Sequence, residues 1–304
     1  MKKTLFLLLA TATFSVAHAQ TDTLPKDTIW RCGGLFAVNL TQVSLTNWAA
    51  GGQNSVSGNS LFSWFANYKK GKVVWDNSVD LAYGLVMQGK EGDVLKTDDK
   101  MDLSSKYGVK AFDHWYYSAL LNFKSQFAPG YNYPNDSIAI SKFLAPGYLL
   151  LALGLDYKPN DYFSLFLSPI TARLLIVNDK TLSDAGAFGV DSGETVKMEL
   201  GAYIKAAYNK DLNHYINLKT SVDMFSDYLN EPEHVDVNFQ LLLSLKVSKF
   251  ISASVSLQAL YDHDTRIAVY KSDEITIDHY GPRAQFKEVL GIGFAYKFSS
   301  VRTR

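Results

Sequence analysis

Apolar and polar residues alternate with period two in about twelve segments of this chain, near 33–44, 55–69, 72–88, 99–110, 115–127, 147–157, 162–173, 196–209, 215–226, 235–247, 250–262 and 286–298. A strand sends successive side chains to opposite faces, so each segment predicts a β-strand with one greasy and one polar face. Val73, Trp75, Val79, Leu81, Tyr83 and Leu85 alternate with Lys72, Asp76, Ser78, Asp80 and Gly84. Val235, Val237, Phe239, Leu241, Leu243 and Leu245 do the same against Asp236, Asn238, Gln240, Ser244 and Lys246. A soluble sandwich and a membrane barrel both produce this alternation.

The connections separate the two. Tight links at Lys70-Gly71, Phe112-Asp113-His114, Pro159-Asn160-Asp161, Asp211-Leu212-Asn213 and Ser248-Lys249 take turns with long ones near 45–54, 89–98, 128–146, 174–195, 227–234 and 263–285. Short turns at one end and long loops at the other are the habit of outer-membrane barrels. An even strand number then puts both termini at the short-turn, periplasmic end and the long loops at the cell surface. Trp115, Tyr116 and Tyr117 follow one short turn, Tyr157 and Tyr162 flank another, and Tyr208 and Tyr215 a third, as in an interfacial girdle. The predicted fold is all-β: an antiparallel up-and-down transmembrane barrel of about twelve strands.

Both ends of the chain agree. In the last segment Ile292, Phe294, Tyr296 and Phe298 form an outward apolar stripe, while Gly291, Gly293, Ala295 and Lys297 face inward. The spacing of Gly293, Tyr296 and Phe298 resembles the closing-strand signal that the barrel-insertion machinery reads. At the other end Lys2 and Lys3 precede an apolar run from Leu5 to Ala10, and Ala17-His18-Ala19 offers a small-x-small cleavage site. Residues 1–19 therefore read as a secretory signal removed after Ala19 that takes the mature chain out of the cytoplasm, and the barrel pattern assigns it to the outer membrane. The division is a signal peptide at 1–19, a short periplasmic segment at 20–32, the barrel at 33–298 and a tail at 299–304.

Composition narrows the function classes. Thirty basic residues balance thirty acidic ones, which removes any whole-chain case for nucleic-acid binding. Beyond the signal, no run approaches the roughly 18 apolar residues that a spanning helix needs. Cys32 is the single cysteine and makes no internal disulfide.

Longer strings carry a family resemblance. They are Asn39-Leu40-Thr41-Gln42, Thr46-Asn47-Trp48-Ala49-Ala50-Gly51-Gly52-Gln53-Asn54-Ser55, Phe65-Ala66-Asn67-Tyr68-Lys69-Lys70-Gly71 and Lys96-Thr97-Asp98-Asp99-Lys100. Phe127-Ala128-Pro129-Gly130-Tyr131-Asn132-Tyr133-Pro134 and Tyr157-Lys158-Pro159-Asn160-Asp161-Tyr162-Phe163 continue it over nearly the whole mature chain. The chain resembles the barrel proteins of Bacteroidetes grouped as domain of unknown function 3078. The resemblance implies an outer-membrane location and brings no activity, ligand or catalytic residue.

Function is therefore sought on the inward face. By alternation it carries Lys69, Asp76, Asp80, Asp102, Lys106, Lys110, Lys124, Asp156, Lys197, Glu199, Lys205, Lys219, Asp223, Asp236 and Lys246. About twelve strands lie between eight-stranded barrels, which side chains fill, and porins, which hold an aqueous channel. Two readings follow. One is a narrow, porin-like channel for small hydrophilic solutes; the other is a structural or accessory barrel, braced by paired charges and associated with envelope proteins.

The loops add candidates. Asn47, Trp48, Gly51 and Gly52 set an aromatic anchor beside two glycines that permit positive φ, which suits a constriction loop, a display of Trp48 to a partner or glycan, or a plain turn at the outer interface. The other long loops are rich in aspartate and glutamate, which suits solvation or cation bridging to lipopolysaccharide. His263 and His279 share one loop with Asp262, Asp264 and Asp278, yet two histidines lacking a defined third ligand predict no metal site. No Gly-x-Ser-x-Gly elbow or phosphate-binding glycine loop occurs, so neither enzyme activity nor a cofactor is expected. The expected partners are outer-membrane lipid and lipopolysaccharide, the barrel-insertion machinery and an envelope protein.

Overall fold

The computed structural model describes residues 28–44, 53–89, 93–133, 135–248, 250–270 and 277–303. Its strands are β1 (Thr28–Val43), β2 (Ser55–Lys70), β3 (Val73–Gln88), β4 (Asp93–Phe112), β5 (Trp115–Ser125), β6 (Gly130–Tyr131), β7 (Ala139–Ser141) and β8 (Gly147–Tyr157). They continue with β9 (Phe163–Ile176), β10 (Val196–Asp211), β11 (Ile216–Asp227), β12 (Val235–Lys246), β13 (Ile251–Tyr261), β14 (Arg266–Tyr270), β15 (Ile277–Pro282) and β16 (Gln285–Thr303). Twelve of them close into one barrel in the order β1-β16-β13-β12-β11-β10-β9-β8-β5-β4-β3-β2. Every barrel neighbour is antiparallel, and the chain simply meanders around the wall. The remaining pairs, β6 with β7 and β14 with β15, are small hairpins within two long loops.

Closure follows from the ends. Gly34 pairs with Phe298 and Val38 with Phe294, so the last strand zips onto the first. The pairing continues through Trp30 with Arg302, beyond the predicted barrel limits of 33 and 298. Gly293 permits this: a Cβ there would collide with the Val38 carbonyl. The predicted loop at 89–98 is also shorter than expected, because Asp93 to Asp98 continue β4 and pair with β3.

One irregularity sets the phase of the wall. Pairing of β9 shifts register against β8 between Leu153 and Leu155, and against β10 between Gly201 and Tyr203. The kink lies at Ser168-Pro169-Ile170, and proline is tolerated in a sheet only where the ladder is interrupted. Before it the inward residues are Phe166 and Ser168; after it they are Thr171 and Leu175, all buried. The bulge therefore flips the parity of the strand. Gly154 and Gly201 stand beside it, where a Cβ would strike the Leu167 and Ser226 carbonyls.

Outward positions are apolar and open. Ile292 is 71 % exposed and Ile170 66 %, and Leu121, Leu151, Leu153, Ile204 and Leu290 join them around the wall. At the short-turn end the aromatics pack together at tilted angles, with Trp30 against Tyr68 and Trp75, and Trp115 against Phe112 and Tyr157. Tyr116 departs from the predicted girdle. It lies between outward Trp115 and Tyr117, so strand alternation turns its buried ring into the lumen.

Candidate functional site

The lumen is divided lengthwise into a packed side and an open side. On the β5–β11 side Leu120, Leu150, Ala152, Phe166, Tyr203 and Phe225 form a buried apolar cluster inside the barrel. Above it, towards the long loops, Ala145, Leu175, Val177, Leu182 and Val190 form a second cluster, with Tyr148 and Phe188 against it. The β9–β10 loop supplies Leu182 and Val190 by folding over the mouth. Its helix α1 (Lys180–Asp184) begins at Asp179, whose carboxylate accepts from the Leu182 N–H at 3.0 Å.

Lys142 donates to the same carboxylate and pins the loop to the segment after β7. That ammonium, with the helix N–H groups, holds the Asp179 carboxyl below its usual range. A depressed carboxyl stabilises the fold above the unfolded pKa of about 3.9 and loses its contribution as pH falls through the lower folded value. Pepsin is therefore expected to nick 177–195 increasingly as pH drops below about 3.9, and Asp179→Asn to open the loop at higher pH. Equal cleavage of both proteins across that range would show that the Lys142 contact holds nothing. Asp262 behaves oppositely: burial, with Asp236 close by, pushes its carboxyl up.

The open side is a cavity of about 1490 Å³. It runs from Lys69, Lys110 and Lys158 at the short-turn rim, past Asp80, Asp102 and Lys219, to Asn39, Asn59, Asp98 and Lys287 near the long-loop end. Among the described residues its charged lining is ten basic residues (Arg31, Lys69, Lys70, Lys100, Lys106, Lys110, Lys158, Lys205, Lys219, Lys287) and seven acidic ones (Asp76, Asp80, Asp98, Asp102, Asp113, Asp161, Asp223). The difference is three positive charges.

Hydrogen bonds and ion pairs cross this space. Lys219 on β11 reaches Asp80 on β3, directly opposite in the barrel, at 2.6 Å, and Ser63 at 3.0 Å. Lys100 on β4 donates to Gln240 on β12, again across the diameter, at 2.6 Å. Lys124 meets Asp223 at 3.3 Å, and Asp223 also takes Lys205 at 3.3 Å and the Tyr203 hydroxyl at 2.7 Å. Lys106 donates to Asp156 at 2.7 Å, and Lys158 to Asp76. Near the long-loop end Lys287 closes on Asp98 from across the lumen.

Arg173 ties the packed side together. It donates to Glu199 on the neighbouring strand and to Asp236 on β12 at 2.7 Å, while its guanidinium lies 4.0 Å above the Phe225 ring. Lys197 adds contacts to Glu199 at 3.1 Å and to Asp264.

Of the residues predicted to line the lumen, Lys69, Asp76, Asp80, Asp102, Lys106, Lys110, Lys205, Lys219 and Asp223 border the cavity. Lys124, Asp156, Lys197, Glu199 and Asp236 lie in the crossing pairs instead. Lys246 is exposed at the rim of β12, two residues beyond cavity-lining Ser244. Lys100 and Lys287 also line the cavity, at positions in phase with Asp102 and Gly291 on the inward face. Arg173 was missed because its inward position depends on the bulge at Pro169. The Asn47, Trp48, Gly51 and Gly52 motif lies outside the described residues.

The family-related string Lys96-Thr97-Asp98-Asp99-Lys100 has a structural use at several positions. The Asp99 carboxylate accepts from the N–H groups of Phe127 and Ala128, and Lys96 donates to Asp99 and to the Ala128 carbonyl, so this corner of β4 holds the start of the β5–β8 loop. Asp98 and Lys100 point into the cavity beside it.

A closed antiparallel sheet with an open apolar outer face, an aromatic belt and a polar interior defines an outer-membrane β-barrel. Residues 40–131 match the family model described as "Protein of unknown function (DUF3078)". No curated protein sequence matches the chain. Among solved structures, an outer membrane channel from Pseudomonas putida F1 is similar at 12% identity, with 93% of this chain and 100% of that one covered and a TM-score of 0.39. The translocator domain of the autotransporter NalP from Neisseria meningitidis is 12% identical over 91% and 90% of the two chains, with a TM-score of 0.35. Outer membrane phospholipase A from Escherichia coli is 12% identical over 89% and 98%, with a TM-score of 0.32. At this distance no activity carries over from any of them.

Proposed function

We propose that the mature chain, cleaved after Ala19, is a narrow outer-membrane channel for small hydrophilic solutes, with a preference for anions. The observation that carries this reading is the polar cavity that follows one side of the barrel from the short-turn rim to the level of Asp98 and Lys287. Its excess of three positive charges gives the preference, because low-dielectric walls focus the field of unbalanced charges on passing ions. Insertion places the apolar wall in lipid, the aromatic belt at the periplasmic interface and the long loops at the cell surface, facing lipopolysaccharide. Gly293, Tyr296 and Phe298 are the proposed contact with the insertion machinery.

The crossing pairs favour a second reading, an accessory barrel whose lumen is locked and whose loops or wall engage an envelope protein. Single-channel recording of refolded protein in planar bilayers separates the two. Discrete conductance is expected, with a reversal potential displaced towards anions under a salt gradient and displaced further in Asp80→Lys. A barrel that is demonstrably folded yet silent would remove the channel reading and leave the accessory one.

A further inference from the structure

Two long loops meet at the mouth on the β11–β13 side. In the β11–β12 loop the chain turns back at Glu231, whose φ is +48°, and the His234 N–H donates to the Glu231 carbonyl at 2.9 Å. This turn sets the two side chains together, with His234 Nδ1 2.8 Å from Glu231 Oε2. In the loop after β13, Asp262 accepts from the N–H groups of Asp264 and Thr265, and the His263 N–H donates to Asp236 at 3.3 Å. Those bonds aim His263 at the first loop. Its ring stacks on His234 with centroids 3.6 Å apart, and its Nε2 lies 3.8 Å from the same Glu231 oxygen.

We infer that Glu231, His234 and His263 form a surface site for a divalent transition-metal ion of the zinc class. Two imidazole nitrogens and one carboxylate oxygen are the donor set that such ions take, leaving a fourth position for water or an external ligand. All three ligand atoms lie within 4.8 Å of one another. Bonds of about 2.0–2.1 Å in a tetrahedral site bring ligand atoms to roughly 3.3 Å apart, so binding parts Glu231 from His234 slightly and turns the two imidazoles out of their parallel stack until both lone pairs converge on the ion. The Tyr261 hydroxyl stands 3.5 Å from His263 Nδ1, so Nε2, which faces Glu231, is the nitrogen offered to the metal. The ligands are solvent-accessible, so an ion enters without unfolding the loops. A bound ion would join the two loops where their neighbouring acids, Asp236 and Asp264, hold Arg173 and Lys197.

The test uses the full mature barrel, free of any histidine tag, refolded in detergent micelles and checked for folding by heat-modifiable gel mobility. Titration with Co2+ should give one equivalent with visible absorption bands of a tetrahedral ion, displaced by Zn2+. His234→Ala and His263→Ala should each weaken binding by at least about tenfold, since loss of a supporting partner alone costs that much. His279→Ala should bind as the wild type does. Zn2+ should also slow proteolysis within 228–234 and 262–265, a readout that needs no variant. Folded wild type that takes up no Co2+, or a His234→Ala/His263→Ala double variant that binds as well as wild type, would overturn the site.

Discussion

Arg173→Ala is expected to lower the unfolding free energy of the barrel by about 3–5 kcal/mol, the usual consequence of removing one partner from a buried ion pair. The Glu199 side chain is only 3% exposed, and this guanidinium donates to both Glu199 and Asp236, which otherwise accept from Lys197 and from the His263 N–H. Without it, Glu199 keeps only Lys197 among the described residues, and the ring of Phe225 loses the cation above it. Urea unfolding of the barrel in lipid vesicles, followed by tryptophan fluorescence, measures the loss. Arg173→Ala with Glu199→Gln should recover part of it, because the uncompensated charge is then gone. A loss below about 1 kcal/mol would mean that water reaches the network and screens it as it does surface pairs.

Opening the diameter is the second large effect. Lys219 and Asp80 meet in mid-lumen from opposite walls, with Ser63 on the same ammonium, so they narrow the cavity where any solute must pass. Asp80→Ala/Lys219→Ala removes both arms and leaves the formal charge of the lining unchanged. Single-channel conductance should rise several-fold in that double variant while its anion preference stays. Lys219→Ala alone should instead weaken the preference, since it removes one of the ten basic groups. Conductance equal to wild type in the double variant would place the ion path elsewhere or close it at another level. The crossing pair of Lys100 and Gln240 is the next constriction to test in that case.

Legibility in the sequence differs sharply between wall and interior. Twelve predicted segments became twelve barrel strands, and the short turns and long loops fell at opposite ends. Even single positions were readable: Ile292 and Phe294 face out and Ala295 faces in, as the period requires. Errors arose where the period was interrupted or overrun. Pro169 reverses the phase of β9, which hid Arg173, and the β4 ladder continues through Asp93–Asp98 although that stretch reads as a polar loop. The histidine pair was illegible for another reason. His263 was weighed with His279 because they share a loop, whereas its true neighbours are His234 and Glu231, about thirty residues earlier.

By itself the sequence determined the all-β barrel, its strand number and the side to which most residues point, because strand periodicity is local and every second residue must satisfy the same solvent. Only the tertiary structure decided which inward charges find one another. Partners such as Lys219 and Asp80, or Lys100 and Gln240, are separated by half the circumference, and their meeting depends on register, bulges and closure. The same closure packs Phe166, Tyr203 and Phe225 on one side and leaves the polar cavity on the other. Alternation specifies a face, whereas a lumen is the sum of twelve faces brought together by the last strand.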